Sequence, residues 1–370
     1  MRVRPTEPKP PHGVPPALWR LETVVGSLDA MSVFRQRLVA WLPFLLVLQL
    51  AGMLTFNYYS RVEAPSWERR VKVHAAIVNG KAPYLHRYRV LIPYVAEGLA
   101  RTLQAIPKFG GTVPAAPLSY STRAFNSAFI LLNFSALLLL FMSLWSLMET
   151  WFERRLALFG LALAAMMIDF TFRDHFYHPW SFWEAAFYAL GMHLALRRRW
   201  YALILLSAVG ALCRETTAFL PLGFLLFVLP LDFRRWRPAD LRRTDVQAAI
   251  ASLGLWLGAW LAVHRLVGYA PPPFFLEMAI TGNRGMLHYS VLVNVLLLGA
   301  LPVLACWGLP RSPRLVRSMA VALVPYLGML LTIGFWWEIR YWMTVLPVLI
   351  PALLSAIEPP REITASPAPS

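Results

Sequence analysis

Apolar runs long enough to cross a bilayer, or nearly so, restrict what this chain can fold into more than any other feature. They fall at about 38–56, 124–147, 155–171, 180–196, 200–213, 216–231, 246–266, 291–309, 316–334 and 338–357. Of the 370 residues 58% are hydrophobic, more apolar surface than a soluble protein of this length can hide. The predicted fold class is all-α, a polytopic integral membrane protein with about ten transmembrane helices. An interfacial amphipathic helix is expected in addition, because Val90 to Ile106 carries apolar residues at helical spacing with charges between them.

The formal charge of +16 raises nucleic acid as a partner, but the positions of the charges argue against it. They cluster in short breaks between apolar runs: "ERR" at 153–155, "RRR" at 197–199, "RRWRPADLRR" at 234–243 and "RSPRLVR" at 311–317. All four breaks lie on one side if the chain starts in the cytoplasm and crosses ten times, which satisfies the positive-inside rule. This requires two crossings within 200–231, with "GALCRETT" turning at the outer surface. Residues 1–37 then form a disordered basic cytoplasmic leader without a secretory signal. Residues 38–357 form the transmembrane domain, with long outer loops at 57–123 and 267–290, and 358–370 form a disordered tail. Both termini are expected in the cytoplasm of a cell inner (plasma) membrane. Cys213 and Cys306 fall near opposite faces and are not expected to pair.

In this topology the acids and histidines gather at the outer face. "VEAPSWERR" at 62–70 supplies Glu63 and Glu68, for which a surface salt bridge with Arg69 or Arg70 is the plainer reading. "HRYRVLIPY" at 86–94 supplies Arg87 and Arg89, which in an extended segment would point the same way, towards a phosphate, a diphosphate or anionic headgroups. "CRETT" supplies Arg214 and Glu215: the guanidinium suits bidentate phosphate binding and the acid would steer it, though the two could simply pair. "EIRYW" supplies Glu338 and Arg340, the latter a second phosphate ligand. "FRDHFYHPW" at 172–180 brings Asp174, His175 and His178 together. A divalent metal is one reading of that cluster and a hydrogen-bonding or sugar-binding role the favoured one. Arg284 and His288 in the second long loop complete the expected pocket. Asp169 and Glu184 fall about a turn inside their spans. The chain carries no P-loop, dinucleotide fingerprint, serine-nucleophile elbow or zinc-protease motif.

These segments together resemble the GT-C class of polytopic glycosyltransferases. The resemblance rests on the acid-bearing loop "VEAPSWERR", the following "HAAIVNGKAPYLHRYRVLIPY", the short helix pair broken by "CRETTAFLP", and a last span opening "EIRYWMTVLPVLIP". It implies transfer of a sugar from a polyprenyl-phosphate carrier to a glycan, lipid or protein acceptor at the outer (periplasmic) face, with membrane lipids the other partners. In that class a first-loop carboxylate acts as base, and Glu63 stands here without the adjacent acid usual in the class; Glu68 is the alternative. The resemblance implies no certain cofactor beyond the divalent metal already weighed. The competing expectation is a transporter or flippase for an anionic or lipid-linked substrate, favoured by a polar path through Asp169 and Glu184.

Overall fold

The computed structural model describes residues 41–82, 84–106, 123–172, 180–229, 234, 237–268, 299–333 and 341–361. The chain divides into two units, Met1–Leu48 and Gln49–Ser370. Only residues 41–48 of the first are described, all helical; the packing and the candidate sites belong to the second. Among the described residues the structure is helical, without strands. Its helices are α1 (Trp41–Glu63), α2 (Trp67–Val78), α3 (Leu91–Gln104), α4 (Arg123–Trp151), α5 (Arg154–Thr171), α6 (Trp180–Leu196) and α7 (Trp200–Cys213). They continue with α8 (Phe219–Val228), α9 (Thr244–Val267), α10 (Leu301–Gly308), α11 (Arg314–Ile333) and α12 (Trp342–Ile357). Three of them, α1, α4 and α9, are long and apolar enough to cross a membrane.

The helices coincide with the apolar runs, and extensive contacts join helices two apart in the chain. α4 packs along α6, α7 along α9, and α10 along α12. The last contact is close enough that a Cβ on Gly308 would overlap the Ala352 carbonyl, which explains a glycine there. The basic connections gather at one end. Arg361 closes on the end of α4 through the Trp151 carbonyl (2.8 Å) and on Glu153 (3.5 Å). Arg314, opening α11, donates to the Leu229 carbonyl just past α8 (2.8 Å), and Arg243 and Asp245 at the start of α9 are near enough to act on its charge. At the opposite end Arg61 meets Asp169 near the end of α5 (3.1 Å), and Cys213 meets the Trp180 carbonyl (3.7 Å).

The stretch expected to turn at the surface does double back, buried, level with the first turns of α6 and the middle of α9. Cys213 lies beside Trp180, the first residue of α6, whereas Leu220 faces Gly191, much further along the same helix. α8 then descends against α11: the Phe219 and Tyr326 rings are 6.1 Å apart, and Ser318 donates to the Leu226 carbonyl (3.2 Å). The turn is pinned where Trp256, near the middle of the 24-residue α9, donates its indole N–H to Thr217 (2.9 Å). The reason is length. With 14 and 10 residues, α7 and α8 rise about 21 and 15 Å at 1.5 Å per residue, short of the ~30 Å bilayer core. Gly210 permits the tight turn, since a Cβ there would stand 3.1 Å from the Thr217 side chain.

The first long loop is more ordered than expected. "VEAPSWERR" is not a loop: α1 widens into a π turn over Tyr59–Glu63, closed by Ala64 N–H to the Tyr59 carbonyl (2.8 Å), and α2 begins at Trp67. α3 matches the expected amphipathic helix, burying Ile92, Ala96 and Ala100 against α4 and exposing Tyr94 and Val95.

Candidate functional site

Two buried ionic clusters and one open hollow hold the described candidate residues other than Arg87. The first cluster centres on Glu63, expected to be a solvent-reachable base. It is 1% exposed, paired with Arg70 (3.0 Å) and accepting from the Asn133 amide (3.0 Å). Arg70, wholly buried, also donates to Asn126 and lies 4.4 Å from the Trp67 ring centroid. In this structure the Glu63 carboxylate is enclosed by its protein partners, Arg70 and Asn133, and is not open to solvent as expected. Its charge is balanced and its role is to tie α1, α2 and α4 together. His74, Glu97 and Arg101 extend the same network: the imidazole is 3.1 Å from Glu97, which accepts from Arg101 (3.1 Å).

Burial holds the His74 imidazole below its ordinary value, and the nearby Arg70 charge acts the same way, against the opposing hydrogen bond and charge of Glu97. The unfolded chain therefore takes up a proton below about pH 6.5 that the folded chain refuses. Stability is complete above that pH and falls as pH drops through it. Thermal melts in detergent should show a lower Tm at pH 5.5 than at pH 7.5, with the difference shrinking in His74→Gln. Equal wild-type and variant slopes would contradict the assignment.

Glu68 behaves oppositely to Glu63. It lies one turn on, on the outward face of α2, exposed, in an open hollow of about 650 Å³ lined by Pro65, Ser66, Trp67, Glu68, Arg69 and Lys72. The hollow sits past the end of α1 that carries Arg61, and so at the end away from the basic connections. A carboxylate flanked by two cations and an indole can accept a proton and hold a polar ligand.

The second cluster occupies the hairpin tip. Arg214, in extended backbone between α7 and a 3-10 turn over Glu215–Ala218, pairs with Glu184 of α6, and Thr216 donates to the same carboxylate. Arg89 donates through Nε and Nη2 to one oxygen of Glu215 (3.2 and 3.1 Å). The tip is braced by Tyr188 O–H to the Thr216 carbonyl (2.6 Å) and Thr217 O–H to the Arg214 carbonyl (2.7 Å). Arg214 and Glu215 are thus together as expected, but not paired with each other in a single salt bridge; each has its own partner from another segment. Arg87 and Arg89 do not aim at one spot. Their segment is not extended: a short helical turn over Tyr84–Arg87 sends Arg87 to the Val267 carbonyl at the end of α9 (2.7 Å), and Arg89 to Glu215.

Sequence reasoning offered Arg70 as a salt-bridge partner but placed the pair at the surface, missed the roles of Asn133 and His74, and left Glu184 as an exception. The signal for Glu184 was present, since a lone acid within "WSFWEAAFYAL" would cost about 2.5–3.5 kcal/mol unpaired in lipid and so demands a buried cation. Asp174, His175, His178, Arg284, His288, Glu338 and Arg340 lie outside the described residues. Among the described residues no group of three His, Cys, Asp or Glu side chains is placed to hold a metal. Compared with known proteins, the chain matches no family model, no curated protein and no solved structure.

Proposed function

We propose that the chain is a multi-pass inner-membrane protein, with its basic connections in the cytoplasm, that transfers a sugar from a polyprenyl-phosphate carrier to an acceptor at the outer face. The observation that carries this reading is Glu68: an exposed carboxylate beside Trp67, Arg69 and Lys72, at the end away from the basic connections. In the proposed step Glu68 takes the proton of an acceptor hydroxyl as its oxygen attacks the anomeric carbon. The bond from that carbon to the phosphate oxygen breaks, and the carrier phosphate leaves with the electron pair. A phosphate leaves without a general acid, but its charge needs a cation. Arg87 suits that task best among the described candidates. Arg89 and Arg214 are each offset by a carboxylate, whereas Arg87, among the described residues, bonds a backbone carbonyl. Arg340 is the further candidate.

A second reading, transport or flipping of a lipid-linked substrate, is favoured by one observation. The break at Arg214 lies halfway along α9 with Glu184 beside it, and transporters build sites from broken helices near the bilayer midplane. Purified protein in nanodiscs, given a panel of polyprenyl-phosphate hexoses and pentoses with membrane-derived acceptors, separates the two. Release of polyprenyl phosphate from at least one donor is expected. No release from any donor, together with movement of labelled lipid across proteoliposomes, would replace transfer by transport.

A further inference from the structure

We propose that the hairpin tip recognises the hydroxyl groups of an uncharged sugar, and not the phosphate that carries it. This rests on the reading of the substrate as a lipid-linked sugar, and it reassigns Arg214 and Arg89 within that reading.

Charge decides the point. Among the described residues the tip holds two guanidiniums, Arg214 and Arg89, and two carboxylates, Glu184 and Glu215, joined pairwise, so their net charge is zero. Arg214 is 6% and Glu184 1% exposed. An anion brought here would be stripped of water for little net Coulomb gain, because each cation already answers an acid. A hydroxyl loses far less on desolvation and can donate and accept at once.

The tip also offers both kinds of partner. Arg214 is held through Nη1, and its buried Nε has no acceptor among the described residues. Arg89 and Arg101 spend their Nε on carboxylates, while Arg70 and Arg87 share with Arg214 a buried Nε that has no acceptor among the described residues. Buried donors are rarely left unanswered. One residue on, the Glu215 side chain is 32% exposed, which leaves its carboxylate reachable by a donor from outside the cluster. The pair is held rigidly: Glu184 is fixed by Arg214 and Thr216, and the turn by Tyr188, Thr217 and Trp256. A rigid donor and acceptor on adjacent residues select a ligand by the hydroxyls it presents.

Binding measurements on the full chain in phosphatidylcholine nanodiscs test this without requiring turnover. The probes are polyprenyl phosphate, a set of polyprenyl-phosphate neutral hexoses, and their hexuronic-acid counterparts. At least one neutral sugar-lipid should bind about tenfold or more tightly than polyprenyl phosphate, and the uronic acid form no tighter than the phosphate alone. The charge-neutral double variant Arg89→Met/Glu215→Leu, which removes the acceptor and its cation together, should erase that margin while leaving polyprenyl phosphate affinity unchanged, and Arg214→Lys should do the same if the double variant fails to fold. Arg87→Gln should weaken all probes by a common factor. The proposal is overturned if no neutral sugar-lipid shows the margin. It is also overturned if the tip variants weaken polyprenyl phosphate as much as the sugar-lipid, or leave the margin intact. A margin that persists in a protein catalysing no transfer would keep the sugar site and discard the transferase reading. Transfer surviving in Glu68→Gln would discard only the base.

Discussion

Glu68→Gln is expected to lower sugar transfer by about a hundred- to ten-thousandfold, the span ascribed to a positioned general base, with the Tm unchanged. The amide keeps the size and polarity of the carboxylate but cannot take the acceptor proton. Because Glu68 is exposed and sits in an open hollow, the change removes no buried contact. Glu63→Gln should behave in the reverse way. It leaves the buried Arg70 guanidinium without its counter-charge, so the yield of folded protein falls while turnover per folded molecule stays near wild type. Initial rates normalised to the monodisperse fraction separate the two. If Glu63→Gln instead abolishes turnover in folded protein and Glu68→Gln does not, the hollow is not where the proton is taken.

The largest loss of stability should come from Arg70→Ala. Removing one partner of a buried ion pair costs about 3–5 kcal/mol, because the other charge is left uncompensated. Arg70 is fully buried, pairs with Glu63, donates to Asn126 and lies against Trp67, Phe125 and Phe129. All of these contacts go at once. The double variant Arg70→Met/Glu63→Leu should recover most of the loss, since it removes both charges and restores apolar volume. Denaturant unfolding in mixed micelles, read by tryptophan fluorescence, provides the comparison. A double variant as unstable as Arg70→Ala would show that packing, and not charge, holds this corner.

Helix positions were legible because lipid-length apolar runs leave little else to form; α4, α5, α6 and α9 begin and end within a few residues of the runs that predict them. The amphipathic α3 was legible from its spacing for the same reason. Depth was not. "GALCRETT" signals a turn between two short helices, but where that turn sits depends on Thr217 meeting Trp256, a partner 39 residues away. Partners failed similarly. Glu63 and Glu68 look equivalent in "VEAPSWERR", and only the π turn and the start of α2 turn one inward to Arg70 and Asn133 and the other outward. Reading Arg87 and Arg89 as one pair failed because the alternation argument needs extended backbone, and the chain there makes a helical turn. Periodicity reports which face is apolar; it carries no information on which distant charge answers a buried one.

Sugar transfer as proposed requires the ends of this bundle to face opposite sides of a membrane, with the acid-bearing hollow outside and the arginine-rich connections within. Glu68→Cys and Arg198→Cys, both at exposed positions, can be labelled in intact cells with a membrane-impermeant maleimide. The background is Cys306→Ser, because Cys306 is exposed whereas Cys213 is buried. Position 68 should label at once and position 198 only after the cells are opened; both labelling from the same side, or the reverse order, would contradict that orientation.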